Sequence, residues 1–379
     1  MIKRQAAPGG APRLVDAGAW PAAEWDALAA RSPLGDAFQS YEWGEVKRSL
    51  GWTPLRYVVE LAGRRVAVVS IQERSLLRRT PAPLSRWRLH YAPRGPILLE
   101  GTPEAARAAL GALEGLARAR HSLTLTIDPT WLEDGDMAGT LPGSGFRPAA
   151  REVQVSRTAM VIPLRADEEE QHALLDDSTA TNINKARRAG VSTERVDLAS
   201  AGSTASVSST ASAAREAALA EFFEMHAATG RREDFLVRDR EYELNQWRSL
   251  GEAGLASLWF ASVEGRRRSG LLLLHSGRYV VLFAAGSPDD ADLRKNRANH
   301  LLHWSIMRWA VAAGFEGYDL GGVDTHDFPG LPADRSHPLW NLYEFKRRLG
   351  AVGEVRIRAH EYAPNALSGA VWRSARRFR

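Results

Sequence analysis

In residues 21–30, and again in 41–50, apolar side chains recur every three or four positions, the period of a helix with one buried face. The pattern then changes. Residues 55–60 and 66–71 are short runs dense in Val, Leu and Ile, which predict buried strands, and Gly63-Arg64-Arg65 between them reads as a hairpin turn. An extended segment ending in Tyr91-Ala-Pro-Arg-Gly-Pro96 precedes a helix expected from residue 103 to about 120, with Thr102 placed to cap it. A strand over 123–128 closes this half.

The same order returns further along: a helix over 213–228, strands over 256–263, 270–275 and 279–284, a helix over 297–313, then Tyr318-Asp-Leu-Gly-Gly322. A turn rich in Gly and Arg, 264–268, again separates the first two strands. The repeat of element order predicts two copies of one mixed α/β unit. Thr181-Asn-Ile-Asn-Lys-Ala-Arg-Arg-Ala-Gly-Val191 reads as a short basic helix stopped by Gly190 and leading into a strand, so the second unit is expected to begin near Arg157. Residues 199–214, almost wholly Ala, Ser, Thr and Gly, read as a solvated loop. The expected divisions are 1–155, 156–355 and a basic C-terminal segment, 356–379, returning to the first unit.

At 379 residues the chain is long enough for two such cores. It has no cysteine, which excludes disulfides, a thiolate nucleophile and zinc held by thiolates. The excess of 50 Lys and Arg over 45 Asp and Glu is small, fitting either an anionic partner or an ordinary soluble surface. The first ten residues lack the apolar stretch of a secretion signal, and the longest apolar passages fall far short of the ~20 residues that cross a bilayer. A soluble, cytoplasmic protein is expected. Residues 372–379 are basic with interleaved aromatics and read either as a contact for phosphates or an anionic membrane surface, or as a frayed, solvated tail.

Several chemistries are poorly supported. No HExxH motif is present, and Asp324, His326, Asp327 and His337 lie in a Pro- and Gly-rich loop without ligand spacing, so no metal is expected. Neither a GxSxG elbow nor a Walker loop occurs. The order strand, strand, strand, helix, strand is that of a GNAT-type acyltransferase. There a glycine-rich turn of the form [RQ]xxGx[GA] cradles a pyrophosphate on the N-terminus of the helix. The corresponding run here is Arg294-Lys-Asn-Arg-Ala-Asn299, with Arg297 and Asn299 in place of the glycines. Side chains there crowd the cradle, which disfavours acetyl-CoA and leaves no expected cofactor.

Six motifs in order carry a resemblance: Gln39-Ser-Tyr-Glu-Trp-Gly-Glu-Val-Lys47, Tyr91-Ala-Pro-Arg-Gly-Pro96, Ile127-Asp-Pro129, Asn182-Ile-Asn-Lys-Ala-Arg-Arg-Ala-Gly-Val191, Tyr318-Asp-Leu-Gly-Gly322 and Leu342-Tyr-Glu-Phe-Lys346. Together they resemble the FemABX family of tRNA-dependent peptidoglycan aminoacyltransferases, built from two tandem GNAT-like domains. The resemblance implies aminoacyl-tRNA as co-substrate and a muramyl-peptide precursor as acceptor, with an amide formed on its stem-peptide amine. It implies that Lys346 neutralises the oxyanion of the attacked ester and that Phe345 shapes the site. It implies further that Lys47 and Arg238, from different halves, hold the precursor's pyrophosphate, that Tyr242 lines the same groove, and that Asp128 meets the acceptor amine or peptide.

Each residue also has a plainer reading. Lys346 belongs to a basic trio with Arg347 and Arg348, Lys47 and Arg238 fit exposed helix surfaces, and an Asp before Pro129 is a common turn former. Two features depart from the family: Leu282 and Ala284 stand where some members place acceptor-contacting tyrosines, and the loop 323–340 before the Lys346 motif reads as a lid, a specificity loop or an insertion. Two other functions therefore stay open, a transferase acting on a peptide natural product or exopolysaccharide precursor, and a non-catalytic module that binds tRNA or membrane.

Overall fold

The computed structural model describes residues 10–32, 35–75, 86–199, 209–288 and 295–375. Most of the N-terminal ten residues, the middle of the 199–214 segment, Arg294 and the last four residues of the basic tail lie outside the described residues. Contacts divide the chain into two units, 1–155 with 356–379, and 156–355.

In the first unit β1 (Arg13–Asp16) and α1 (Ala22–Ala29) lead into α2 (Tyr41–Val46), β2 (Thr53–Leu61), β3 (Arg64–Ser75), β4 (Arg88–Ala92) and β5 (Ile97–Leu98). Then come α3 (Pro103–Ala119), β6 (Ser122–Ile127) and β7 (Arg147–Pro148). The helix α3 forms where expected: the Thr102 hydroxyl accepts from Ala105 N at 3.2 Å, and Pro103 occupies a first-turn position that needs no N–H. The α2 region is shorter than the apolar period implied, because it tightens into a 3-10 turn, Lys47–Leu50, ended by Gly51 at φ 78°. The β2–β3 turn falls on Ala62 and Gly63, both at positive φ, so Arg64 and Arg65 are strand residues rather than turn residues. The sheet runs β1-β2-β3-β4-β6-β15-β7, where β15 (His360–Tyr362) comes from beyond the second unit. Among the described residues only β4 and β6, joined by the crossover α3, are parallel. Val59, Val69, Ile71, Leu110, Leu113 and Ile127 are fully buried between sheet and helix, and Trp25 fills the space under α1.

The second unit contains β8 (Thr158–Pro163), α4 (Glu168–Ala173), α5 (Asp177–Arg188), β9 (Ser192–Asp197), α6 (Ser209–Glu233) and α7 (Arg240–Glu252). It continues with β10 (Ala256–Val263), β11 (Arg266–Ser276), β12 (Tyr279–Gly286), α8 (Ala298–Ala312), β13 (Gly317–Asp319), α9 (Trp340–Arg348) and β14 (Val352–Val355). Its sheet runs β14-β8-β13-β12-β11-β10-β9, and among the described residues again one pair is parallel, β12 with β13 across the crossover α8. Three antiparallel strands, a crossover helix and a parallel strand thus occur in both units, which makes the fold a tandem pair of GNAT-like α/β sheets. Residues 209–214, read as loop, are helical. Alanine is the strongest helix former and needs no large side chain to propagate a helix begun by the apolar face further along α6.

The described residues end in α10 (Ala366–Ala375), against β6, with Trp372 Nε1 donating to Glu361 Oε1 at 3.1 Å. The described part of the basic segment is therefore ordered helix rather than frayed tail. Among the described residues no helix is long and apolar enough to cross a membrane, and no group of His, Asp and Glu is arranged to hold a metal.

Candidate active site

In the second unit α9 delivers Lys346 into the core side of the sheet, where it is only 6% exposed. Its Nζ donates to the carbonyls of Gly322 at 2.8 Å and Gly321 at 3.1 Å. Burial pushes the ammonium down to about 8, opposed by the charge of Asp319. An ammonium has three N–H groups, and among the described residues the third has no acceptor.

The two carbonyls are fixed from behind. Gly321 sits at φ 78°, a left-handed conformation that glycine adopts without strain, and its N–H bonds to Asp319 Oδ1 at 2.7 Å. At Gly322 a Cβ would fall inside the Ser156 hydroxyl, so no side chain fits. Asp324, the next charged residue, is buried and accepts from Thr158 Oγ1 at 2.6 Å, Thr158 N at 3.0 Å and the Ser156 hydroxyl. Burial would raise its carboxyl, but those hydroxyl bonds outweigh burial and hold it below the usual range. Asp324 is thus an anchor for the Gly321-Gly322 turn at the start of the 323–340 loop.

Phe345 packs edge-on against two imidazoles, His300 at 5.3 Å and His303 at 5.6 Å between ring centroids. The buried His303 meets the Tyr318 hydroxyl at 3.0 Å, and burial together with the charges of His300 and Lys346 pushes it down to about 3. Burial and the Arg297 charge take His300 down to about 4, with its Nε2 3.3 Å from Asn182 Nδ2. Both rings are neutral near pH 7, so the wall beside Lys346 carries no competing charge. Sequence reasoning named neither histidine. Their spacing of three across the first two turns of α8, which puts them on one helix face, is the signal that could have found them.

Arg297 stands immediately before α8 at φ 56°, a conformation that costs a non-glycine residue ~1 kcal/mol or more, at the place where a phosphate cradle carries glycine. On β12 the register with β11 slips between Leu282 and Ala284, leaving Phe283 as a bulge; Ala284 is buried and Leu282 packs on the core. Elsewhere in this unit the exposed Arg238 lies over the Tyr242 ring, 5.6 Å from its centroid, and Tyr242 Oη accepts from Gln246 at 3.3 Å.

In the first unit Asp128, at the end of β6, is 4% exposed and accepts from Tyr91 Oη at 2.8 Å and from Arg94 N at 2.6 Å. Burial raises its carboxyl to about 6 against the lowering effects of the Arg94 charge and these bonds. Gln154 donates to the same tyrosine oxygen at 2.7 Å. The motif around Tyr91 is held by another motif: the Gln39 side chain donates to Ser70 O and Pro93 O and accepts from Ser70 N, at 2.7–2.9 Å, and lies against Gly95 where a side chain would stand. Lys47, at the end of α2, lies 4.0 Å over the Trp43 ring, which itself stacks on Phe38.

A buried cation aimed by two carbonyls, on a unit with a crossover helix and a parallel strand pair, defines the class: an acyltransferase fold in two GNAT-like copies. Residues 179–328 match the family model described as an acetyltransferase (GNAT) domain. The chain is 23% identical to the lipid II:glycine glycyltransferase of Staphylococcus aureus strain MRSA252, over 90% of this chain and 91% of that protein. The crystal structure of FemX superposes with a TM-score of 0.75 at 20% identity, covering 96% of this chain and 99% of FemX. A conserved protein of unknown function from Bacteroides thetaiotaomicron shares the fold at a TM-score of 0.57 and 10% identity, over 90% and 96% of the two chains. The chain is therefore a homologue of the lipid II:glycine glycyltransferases with the tandem fold of FemX, the family its motifs resemble.

Proposed function

We propose that this chain forms an amide between an amino acid carried by tRNA and the stem-peptide amine of a peptidoglycan precursor. The observation that carries the reading is Lys346: a desolvated ammonium with two N–H groups on fixed carbonyls and no acceptor for the third among the described residues. When the amine attacks the aminoacyl ester, a C–N bond forms and the carbonyl oxygen becomes an oxyanion. Lys346 donates to that oxygen. Collapse then breaks the ester C–O bond, and the proton lost by the amine leaves with the ribose hydroxyl. Phe345 and the two neutral imidazoles keep water and rival charges from the ammonium, which strengthens its field.

The remaining assignments belong to the same reading. Asp128, ionised above about pH 6, receives the ammonium form of the acceptor; Lys47 and Arg238 bind its pyrophosphate, and Tyr242 orients Arg238. Acetyl-CoA is disfavoured because a side chain at Arg297 occupies the cradle position. The glycyltransferase homologues support a peptidoglycan acceptor, and charged tRNA puts the reaction in the cytoplasm. Leu282 and Ala284 favour a second reading on one point, an acceptor outside the cell wall, since neither can hydrogen-bond a stem peptide through its side chain.

The test is incubation of the protein with a radiolabelled, mixed aminoacyl-tRNA pool and muramyl pentapeptide acceptors, lipid-linked and UDP-linked, with acetyl-CoA as a parallel donor. Label in the peptide that disappears in Lys346→Met supports the proposal. Transfer from acetyl-CoA and none from tRNA sinks it.

A further inference from the structure

Two large apolar side chains stand in solvent at the turn between α6 and α7: Leu236 is 86% exposed and Phe235 41%. The turn is not loose. Phe235 N donates to Gly230 O at 3.1 Å, and Val237 folds in so closely over Gly230 that a side chain there would collide with it. The Phe235 ring leans on His226 at 5.3 Å, and the Asp239 carboxylate caps α7 by accepting from Glu241 N at 3.0 Å and Tyr242 N at 3.3 Å. The backbone thus turns Val237 inward and presents Leu236 outward at a fixed place.

Arginines bracket the exposed pair. Arg232 and Arg240 are matched by Glu233 and Glu224. Arg231 and Arg238 have no carboxylate partner among the described residues, and both are exposed. An apolar tip between unmatched guanidinium groups is the chemistry of an interfacial contact: apolar side chains enter the boundary of headgroups and acyl chains, and the cations rest on lipid phosphates. RNA would reward the arginines but not an exposed leucine.

We propose that the 230–239 turn docks this unit on an anionic lipid surface, with Leu236 and the edge of Phe235 in the headgroup layer and Arg231 and Arg238 on phosphates. The inference rests on the reading above, in which Arg238 binds the acceptor's pyrophosphate. In a lipid-linked precursor that group lies at the bilayer surface, the depth at which Leu236, two residues away, would sit. The acceptor class it selects is the lipid-linked one.

The test is co-sedimentation with acceptor-free vesicles of phosphatidylglycerol and phosphatidylethanolamine in equal parts, with phosphatidylcholine vesicles as the neutral control. Wild type should pellet with the anionic vesicles, Leu236→Ser should lower the partition coefficient by roughly tenfold, and Leu236→Trp should raise it. Unchanged melting temperatures show that the variants fold, as expected for so exposed a position. Equal partition of wild type and Leu236→Ser, or no binding by wild type, overturns the proposal. Partition requires no turnover, so the two ideas fail separately. Wild type that binds vesicles but transfers no amino acid refutes the proposed function, whereas wild type that transfers but ignores vesicles refutes the docking surface alone.

Discussion

Replacing Lys346 by methionine keeps the reach of the side chain and removes the charge, and its effects on activity and stability should run in opposite directions. One charged donor lost from a developing oxyanion typically costs about 10²- to 10³-fold in kcat, ~3–4 kcal/mol. Stability behaves otherwise. The drop of Lys346 from 10.5 to about 8 means that folding disfavours its charge, by ~3 kcal/mol at most. Methionine carries no such penalty, so the variant should melt at or above the wild-type temperature while being nearly inactive. The sign with pH follows. Because the folded value lies below the unfolded one, the unfolded chain binds more protons between pH 8 and 10.5; the penalty is full below pH 8 and is relieved as pH rises through that window. Activity needs the charged form, so single-turnover transfer by wild type, relative to Lys346→Arg, should fall about tenfold per unit above pH 8. Wild-type kcat in Lys346→Met, or a wild-type to Lys346→Arg ratio that rises through pH 8, would refute the reasoning; the second result would make the neutral amine the working form.

Three further outcomes are expected. Asp128→Asn should abolish a rise in acceptor KM that wild type shows as pH falls below about 6, where its carboxyl takes up a proton; steady-state KM against pH checks this. Asp324→Ala should cost ~2–4 kcal/mol in urea melts at neutral pH by stripping Thr158 and Ser156 of their acceptor. Since the Asp324 carboxyl is held below its usual value, its contribution is present above about pH 4 and lost as pH falls, so the gap between wild type and variant should narrow as the pH is lowered below about 4. Gly322→Ala should lower both the melting temperature and kcat, because its new methyl displaces Ser156 and turns a carbonyl away from Lys346; unchanged kcat would show that the carbonyl positions are immaterial.

How much of this was legible in the sequence depended on whether the cause was local. Thr102 and Pro103 announce α3, and runs such as 256–263 and 270–275 announce strands, because capping and hydrophobic density act within a few residues. The two-residue hairpin at Ala62-Gly63 was placed one residue late, since the arginines beside it suit a turn or a strand edge equally. The helical start of α6 was hidden by a composition that lacks large apolar groups. Short strands such as β1 and β15 were unreadable, because they exist only through partners more than 40 and more than 200 residues away. At the candidate site the motifs supplied the names Lys346, Phe345 and Asp128, but not what surrounds them. The carbonyl pair under Lys346, the anchor at Asp324 and the contact of the two imidazoles with Phe345 are relations between distant segments; the spacing of His300 and His303 puts them on one helix face but does not say what they meet. Gln39 shows the same limit: it was visible as a motif residue, while the three bonds that tie it to Ser70 and Pro93 were not.

The place of β15 has a consequence for how the molecule comes into being. That strand lies between β6 and β7, yet it leaves the ribosome only after the whole of 156–355 has been made. The second unit is continuous and has every strand it needs once β14 is out. The first must wait, with the edge of β6 unpaired and β7 unattached, until 360–362 arrive. The later-synthesised unit can therefore finish first, and the earlier one spends most of translation as an open sheet that needs protection from other strands. A released chain truncated after residue 355 would hold one complete unit and one lacking a strand, a difference that limited proteolysis would read directly.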